Sequence, residues 1–523
     1  MKETPKEPLT TRRVSRKLTI PKDLTKSQAN NNKHGGLLLL FVFVLVFLGL
    51  IIGADKTIAL IGLIVALIII GHILIKLSAI FRPWSKTFTE ADPSYKPFVS
   101  IHVTCKNEPA GLVNKTVEAL TRLDYPKYEV LVIHSNNQNI HNWQKIQKFV
   151  ESCGENFKFV HLDKIDGFKA GALNYLNNHI MDESSEVLAV VDCDYIVTPD
   201  FLNKTAGYFK NPKVGIVQVP QDYHNVIPCN VGLDYEYRSF FALVMHQSQR
   251  LNLVTFTGTM GLIRASLIKK GLKWNKWCIT EDTEAGVYIN SIGFRGVYVD
   301  KSLGKGLMPL DYASLIKQRQ RWVFGNMQIL GKDFFSVVRD QSLSIKQRFA
   351  FVAQLMTWFH FELIVASIYL FLSIIRLLGY SEKYIAFTSH VMLTLLAVSL
   401  IGNFLYFMIG LRKEASVLES FKAFLAHYGL LHVMSSSWIL YFFGHKLGFN
   451  VTKKEKTDGK IPFREYSKEF TIIVILLVGL GLGIIFGNET QFGILVVLTF
   501  VITELIGVLY LRRAFIKSNP LDI

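Results

Sequence analysis

The chain has 523 residues, half of them hydrophobic and 19% charged, with formal charge +17 and mean hydropathy +0.28. Soluble globular proteins carry about a quarter charged residues, so this composition weighs against a wholly soluble chain. Nucleic-acid binders and membrane proteins with basic cytoplasmic flanks share a positive charge of this size, and its position along the chain separates them.

Residues 36–53 and 57–75 are two nearly uncharged apolar runs, each about long enough to cross a bilayer. Their length and pairing predict a transmembrane hairpin over 35–80 and not a cleaved leader, whose apolar core is shorter. Arg12, Arg13, Arg16, Lys17, Lys22, Lys26 and Lys33 precede the first run in a polar arm, 1–34, whose composition predicts disorder. The positive-inside rule puts that arm in the cytoplasm and a tight Ala54-Asp55-Lys56 loop outside. The polar region after residue 80 is then cytoplasmic.

Apolar runs return at 349–378, 384–411, 428–444, 470–487 and 492–511. Arg412 and Lys413 lie before the third of these, and Lys446, Lys453, Lys454, Lys456, Lys460 and Arg464 lie after it. Two basic flanks predict interfacial helices over 412–447 in place of a crossing, supported by the helical apolar spacing of VLESFKAFLAHYGLL. The expected layout is an interface helix and two transmembrane helices in 326–411. A polar loop at 448–465, two transmembrane helices in 470–511 and a cytoplasmic tail at 512–523 complete it. That makes six spans, with a seventh at 428–444 as the alternative. Early in the run from 349, the ionisable pair His360 and Glu362 lies among Trp358, Phe359 and Phe361, as a functional cluster or as helix packing. His390 and His432 read as core.

Between the apolar runs, residues 94–325 alternate strands (PFVSIHVTC, YEVLVIHS, EVLAVVDCD) with helical patterns (LVNKTVEALTRL, KAGALNYLNNHI). Such alternation predicts a mostly parallel buried sheet with its ligand site at the C-terminal strand edges. All five cysteines lie in this region without CxxC spacing, which predicts free thiols.

Three motifs carry chemistry. Asp192 and Asp194 flank Cys193 at the end of an apolar strand, and residues i and i+2 of an extended chain point to one side. Two hard oxygen donors there suit Mg²⁺ or Mn²⁺ shared with a diphosphate, although such a triplet also marks ordinary turns. Thr280-Glu281-Asp282 opens a helical stretch, as a helix start, as the seat of a general base, or as both. Gln318, Arg321 and Trp322 of QRQRW share a helix face, where Arg can meet a phosphate and Trp a sugar ring. A juxtamembrane basic helix would use the same residues.

Taken in order, LDYPKYEVLVI (123–133), KAGALN (169–174), DCD (192–194), FTGTMGLIR (256–264), TED (280–282) and QRQRW (318–322) resemble the motifs of family 2 glycosyltransferases of GT-A fold. The likeness is greatest to membrane-embedded processive synthases of the cellulose synthase type, and it covers essentially all of 94–330. Phe449-Asn450-Val451-Thr452-Lys453-Lys454 also looks like the FxVTxK gating loop of those synthases, which single-sugar transferases often lack. The expected architecture is an α-helical membrane protein of about six transmembrane helices plus interfacial helices, with a cytoplasmic α/β GT-A domain and both termini cytoplasmic.

The resemblance implies an inverting transferase using Mg²⁺ or Mn²⁺. Asp192 and Asp194 would hold metal and diphosphate, and Glu108 and Lys169 would belong to the nucleotide pocket. Asp282, beside Glu281, would be the base. Gln318 and Trp322 would seat the acceptor and Arg321 would balance the leaving diphosphate. Phe449, Val451, Thr452 and Lys453 would close over the donor. The expected partners are a nucleotide sugar, a growing polysaccharide and the plasma-membrane bilayer, with no nucleic acid and with room for accessory export subunits. The expected reaction is β-glucan synthesis from UDP-glucose, giving cellulose, a 1,3-glucan or a mixed-linkage product, with translocation. N-acetylglucosamine or GDP-mannose donors are weaker options, and transfer of one sugar to a membrane lipid and a non-catalytic scaffold are the alternatives.

Two positions depart from the family pattern. Ile133-His134-Ser135-Asn136 replaces the usual VIDD or VIDN, whose acid contacts the base, and Lys106 stands where an aromatic is common. The chain is also expected to lack a PilZ-like regulatory module.

Overall fold

In the computed structural model, the described residues are 44, 49, 51–81, 86–136, 139–340, 343–379, 383–445, 447, 467–485 and 491–517. Helix α1 (Ala54–Phe81) contains the second expected span. The loop expected at Ala54-Asp55-Lys56 is instead its first turn. Gly53 turns the chain at φ +93°, and the Thr57 hydroxyl donates to its carbonyl at 2.9 Å. Asp55 then sits at the positive end of the helix, which favours an acid.

The middle of the chain is a mixed α/β unit. Strands β1 (Val99–Cys105), β2 (Tyr128–Ser135), β3 (Phe157–Leu162) and β4 (Val187–Val190) alternate with helices α2 (Ala110–Thr121), α3 (Ile140–Ser152) and α4 (Phe168–His179). Then come β5 (Ile196–Val197), β6 (Val214–Gln218), β7 (Asp222–Tyr223), α5 (Val231–Ser239), β8 (Gly261–Arg264), α6 (Glu281–Ser291), β9 (Arg295–Tyr298) and β10 (Gly304–Gly306). Seven strands form one sheet in the order β3-β2-β1-β4-β8-β6-β9, and β5-β10-β7 form a second.

β3, β2, β1 and β4 pair in parallel, whereas β8 runs antiparallel to both β4 and β6. Val99, Ile101, Val103 and Val130–Ile133 are wholly buried, because helices cover both faces of a parallel sheet. The parallel strands therefore end together at one edge. The loops bearing Glu108 and Asp192–Asp194 leave from that edge, where Ser135 ends β2.

A layer of helices starts from α7 (Tyr312–Arg339), whose N-cap Asp311 accepts from the Ser314 N–H at 2.7 Å. It continues through α8 (Ile345–Leu355), α9 (Glu362–Leu377), α10 (Lys383–Gly410), α11 (Val417–Tyr428), α12 (Leu431–Phe442), α13 (Ser467–Ile485) and α14 (Gln491–Lys517). Among the described residues, Ala54–Ile80, Lys383–Gly410 and Gln491–Ile516 are long and apolar enough to cross a membrane, and Phe470–Gly481 is a shorter apolar helix.

The run expected to span from 349 is not one helix. A capping box at Ser344 and Gln347 starts α8 as a separate element, and the helix breaks before Glu362. The Gln354 side chain then donates to Thr255 Oγ1 of the α/β unit at 2.7 Å, which fixes α8 there. The 414–446 segment is two 12-residue helices, α11 and α12, each about 18 Å long and short of a crossing. α11 packs on α5 and α14, and α12 packs on α7, so these short helices join the α/β unit to the apolar helices. The first expected span, 36–53, lies almost wholly outside the described residues.

Candidate active site

One cavity of about 280 Å³ opens at the strand edge, and its wall has two halves. The sheet supplies the first. Glu108 follows β1, and its carboxylate accepts from the Lys106 N–H at 2.6 Å. Asp192 and Asp194 follow β4. Asp194 is buried and accepts from the Leu307 N–H at 3.2 Å. Lys169 stands at the start of α4, entered through left-handed Gly167 and Phe168 at φ +89° and +51°. Its ammonium is hydrogen-bonded to Asp192 and donates to the Gly258 carbonyl at 2.9 Å.

The base candidate stands opposite. Glu281 and Asp282 occupy the first turn of α6, where the Thr283 N–H donates to Asp282 Oδ1 at 2.7 Å. Gly258, at φ +89°, passes so close that a Cβ there would lie 2.4 Å from Asp282 Oδ2. Only glycine permits both that conformation and that approach.

Helices supply the second half. On α7, Gln318, Arg321 and Trp322 line the cavity together, while Arg319 turns inward and is wholly buried. The Tyr237 hydroxyl of α5 donates to Gln318 Oε1. Its ring meets Trp322 edge-on with centroids 5.8 Å apart, and Trp322 meets Trp358 at 5.1 Å.

The site is electrostatically tight. Burial opposes the Lys169 ammonium, but Asp192 and Glu281 outweigh it and hold its pKa above the ordinary lysine value. Burial, with the Asp282 charge beside it, pushes Glu281 up to about 8 against the pull of Lys169. Burial also raises Asp282, opposed by the Thr283 N–H and by Lys169. Burial draws Arg321 below its usual value while Glu281 and Tyr237 resist. A buried carboxylate with a raised pKa is the signature of a base tuned to near-neutral work.

All nine expected residues outside the gating loop (Glu108, Lys169, Asp192, Asp194, Glu281, Asp282, Gln318, Arg321 and Trp322) line this one cavity. Phe449, Val451, Thr452 and Lys453 lie outside the described residues. His134 is not in the wall. It faces β3 and hydrogen-bonds His161 Nδ1 to Nδ1 at 3.0 Å, and burial with His161 beside it pushes its pKa down to about 4. Ser135 and Asn136 line the cavity in its place. Sequence reasoning missed Tyr237, Thr255, Thr257 and Gln354, which also line it. Tyr237 stands 81 residues from its partner Gln318, and no local pattern marks it.

A family model described as glycosyltransferase like family 2 matches residues 96–325, the stretch that builds this sheet and cavity. Residues 96–325 are thus a family 2 glycosyltransferase-like domain. Glucomannan 4-beta-mannosyltransferase 7 of Arabidopsis thaliana is 24% identical to the chain over 283 residues, 53% of this chain and 50% of the relative. The UDP-forming cellulose synthase catalytic subunit of Pseudomonas fluorescens (strain SBW25) is 26% identical over 257 residues, 48% of this chain and 33% of the relative. The chain thus matches about half the length of the first and a third of the second. A solved mannosyltransferase from Pyrobaculum calidifontis, in complex with GDP-Man and Mn2+, superposes with a TM-score of 0.48 at 15% identity. That match covers 74% of this chain and 97% of the other.

The family 2 domain offers a cation two carboxylates, Asp192 and Asp194, at the cavity wall. Among the described residues no cluster of three or more His, Cys, Asp or Glu is placed to hold a metal. Two carboxylates fit Mg²⁺ or Mn²⁺ only when a phosphate-bearing ligand completes the shell, the usual arrangement for Mg²⁺.

Proposed function

We propose that the chain is an inverting, processive glycosyltransferase that extends a β-linked glycan from a nucleotide sugar, with UDP-glucose as donor. The observation that carries the reading is the single cavity. It joins a carboxylate pair suited to a diphosphate, a buried raised-pKa carboxylate, and an aromatic-and-amide platform suited to a sugar.

Asp282 accepts the proton of the acceptor hydroxyl as its oxygen bonds to the anomeric carbon, and the bond from that carbon to the diphosphate breaks on the opposite side. Inversion of an α-linked donor yields a β-linked product. Lys169 and Arg321 supply fixed positive charge for the departing diphosphate. Asp192 and Asp194 hold Mg²⁺ or Mn²⁺, which when bound neutralises the diphosphate. Gln318, set by Tyr237, and Trp322 orient the acceptor, and Ser135 and Asn136 face the base. The membrane helices carry the product outward from a cytoplasmic domain. The sequence match to a UDP-forming cellulose synthase subunit and a glucomannan mannosyltransferase supports the β-glycan class.

Membranes containing the full chain, given radiolabelled UDP-glucose and Mg²⁺, are expected to form a high-molecular-weight product digested by β-glucanases. Label recovered only in a lipid extract refutes the polymerase reading. Incorporation from GDP-mannose alone refutes the donor.

A further inference from the structure

Behind the acceptor half of the cavity, a buried polar chain runs from the apolar helices to Arg319. Lys76 of α1 donates to Asn403 Oδ1 at 2.9 Å, and Asn403 and Ser399 of α10 donate to Glu362 Oε1 at 2.7 and 2.8 Å. Glu362 Oε2 meets His360 Nδ1 at 2.8 Å, His360 Nε2 meets His427 Nε2 at 2.7 Å, and His427 Nδ1 meets Glu236 Oε1 at 3.1 Å. The other Glu236 oxygen takes the Arg319 guanidinium. Glu236, Arg319, His360, Glu362 and His427 are all buried.

Arg319 at one end and Lys76 at the other flank this polar chain with positive charge.

Among the described residues Arg319 has no other polar anchor, and its Nε and Nη1 lack a hydrogen-bond partner there. The guanidinium lies instead against the rings of Tyr237, Trp358 and Trp322, with centroids at 4.1, 4.4 and 4.7 Å. Desolvation strengthens each cation–π contact, so the cation orders the rings, and among the described residues Glu236 sets the cation. The same three rings line the acceptor half of the cavity.

We infer that Glu236, His427, His360 and Glu362 are positioning residues: they fix Arg319, and through it the aromatic platform, from α5, α11 and the start of α9 and not from the catalytic sheet. The inference rests on the acceptor reading of that platform. Breaking the chain disturbs acceptor use and spares the donor half, whose contacts come from β1, β4, α4 and α6.

The test uses the full chain in nanodiscs, labelled with 5-fluorotryptophan, with the Trp322 and Trp358 ¹⁹F resonances assigned from Trp322→Phe and Trp358→Phe. His427→Leu is expected to move both resonances and to raise the acceptor KM about tenfold, while nucleotide binding and donor hydrolysis stay within about twofold. His427→Gln, which restores hydrogen bonding, is expected to recover part of the loss. If His427→Leu does not fold, Ser399→Ala loosens the far end of the chain and is read by the same resonances. Unmoved Trp322 and Trp358 signals with unchanged acceptor use overturn the inference, and so does loss of nucleotide binding in parallel with transfer. Wild-type protein that hydrolyses donor but extends no acceptor fails the proposed function instead, and the ¹⁹F arm still decides the positioning.

Discussion

Replacing Tyr237 with Phe isolates one bond. The ring stays over the Arg319 guanidinium and edge-on to Trp322, and only the hydroxyl that donates to Gln318 Oε1 is lost. A neutral hydrogen bond contributes about 0.5–1.5 kcal/mol net, which converts to roughly two- to twelvefold in an equilibrium or rate. Gln318 lies on the acceptor half of the wall, so the loss belongs in acceptor KM and product length and not in nucleotide affinity. The assay is initial-rate kinetics with a defined oligosaccharide acceptor, beside nucleotide titration, for Tyr237→Phe, Gln318→Leu and the double variant. The two singles share one bond, so the double variant is expected to lose less than their sum, with a coupling of about 1 kcal/mol. Strictly additive losses, or an equal fall in nucleotide affinity, refute the argument.

Asp282→Asn is expected to lower kcat by roughly 10²–10⁴ with nucleotide affinity retained, since only the proton acceptor is removed; wild-type turnover ends the base assignment. Gly258→Ala puts a Cβ 2.4 Å from Asp282 Oδ2 and costs about 1–2 kcal/mol for its left-handed backbone, so kcat should fall well beyond the loss in thermal stability. Because Asp282 is raised and acts deprotonated, kcat/KM should climb with pH through a value above that of free aspartate, and Glu281→Gln, which replaces a carboxyl that is still neutral there, should leave that limb in place. Glu281 holds its proton in the fold up to about 8 against an unfolded value of 4.5, so its stabilising contribution is complete below 4.5 and lost as pH rises through 8. Glu281→Gln should therefore gain melting temperature relative to the wild type at pH 9 compared with pH 5.

The strands and their alternation with helices were legible because burial on both faces leaves unbroken apolar runs. β2 spans 128–135, as its residues predict. The grouping of Gln318, Arg321 and Trp322 was legible because one helical repeat sets it. The break at 356–361 was not. Residues 349–378 read as one apolar run, yet the capping box at Ser344, the Gln354 bond to Thr255 and the Glu362 carboxylate make separate elements of it. Local hydropathy carries no trace of partners that distant. The same limit hid Tyr237, and it hid the displacement of His134 toward His161, a cross-strand contact fixed by the β2–β3 register.

Long-range pairing also explains why the two halves of the cavity differ in kind. Donor-side residues sit on strand ends and on the first turns of α4 and α6, where local sequence dictates both element and direction. The acceptor side is assembled from α5, α7 and the segment between α8 and α9, and those elements are oriented by α11 and α10 through buried charge. A family motif such as DCD or TED can therefore be recognised from a few adjacent residues. The shape of the acceptor platform depends on Glu236, Arg319, His360 and His427, which are scattered across nearly two hundred positions and meet only in the folded chain.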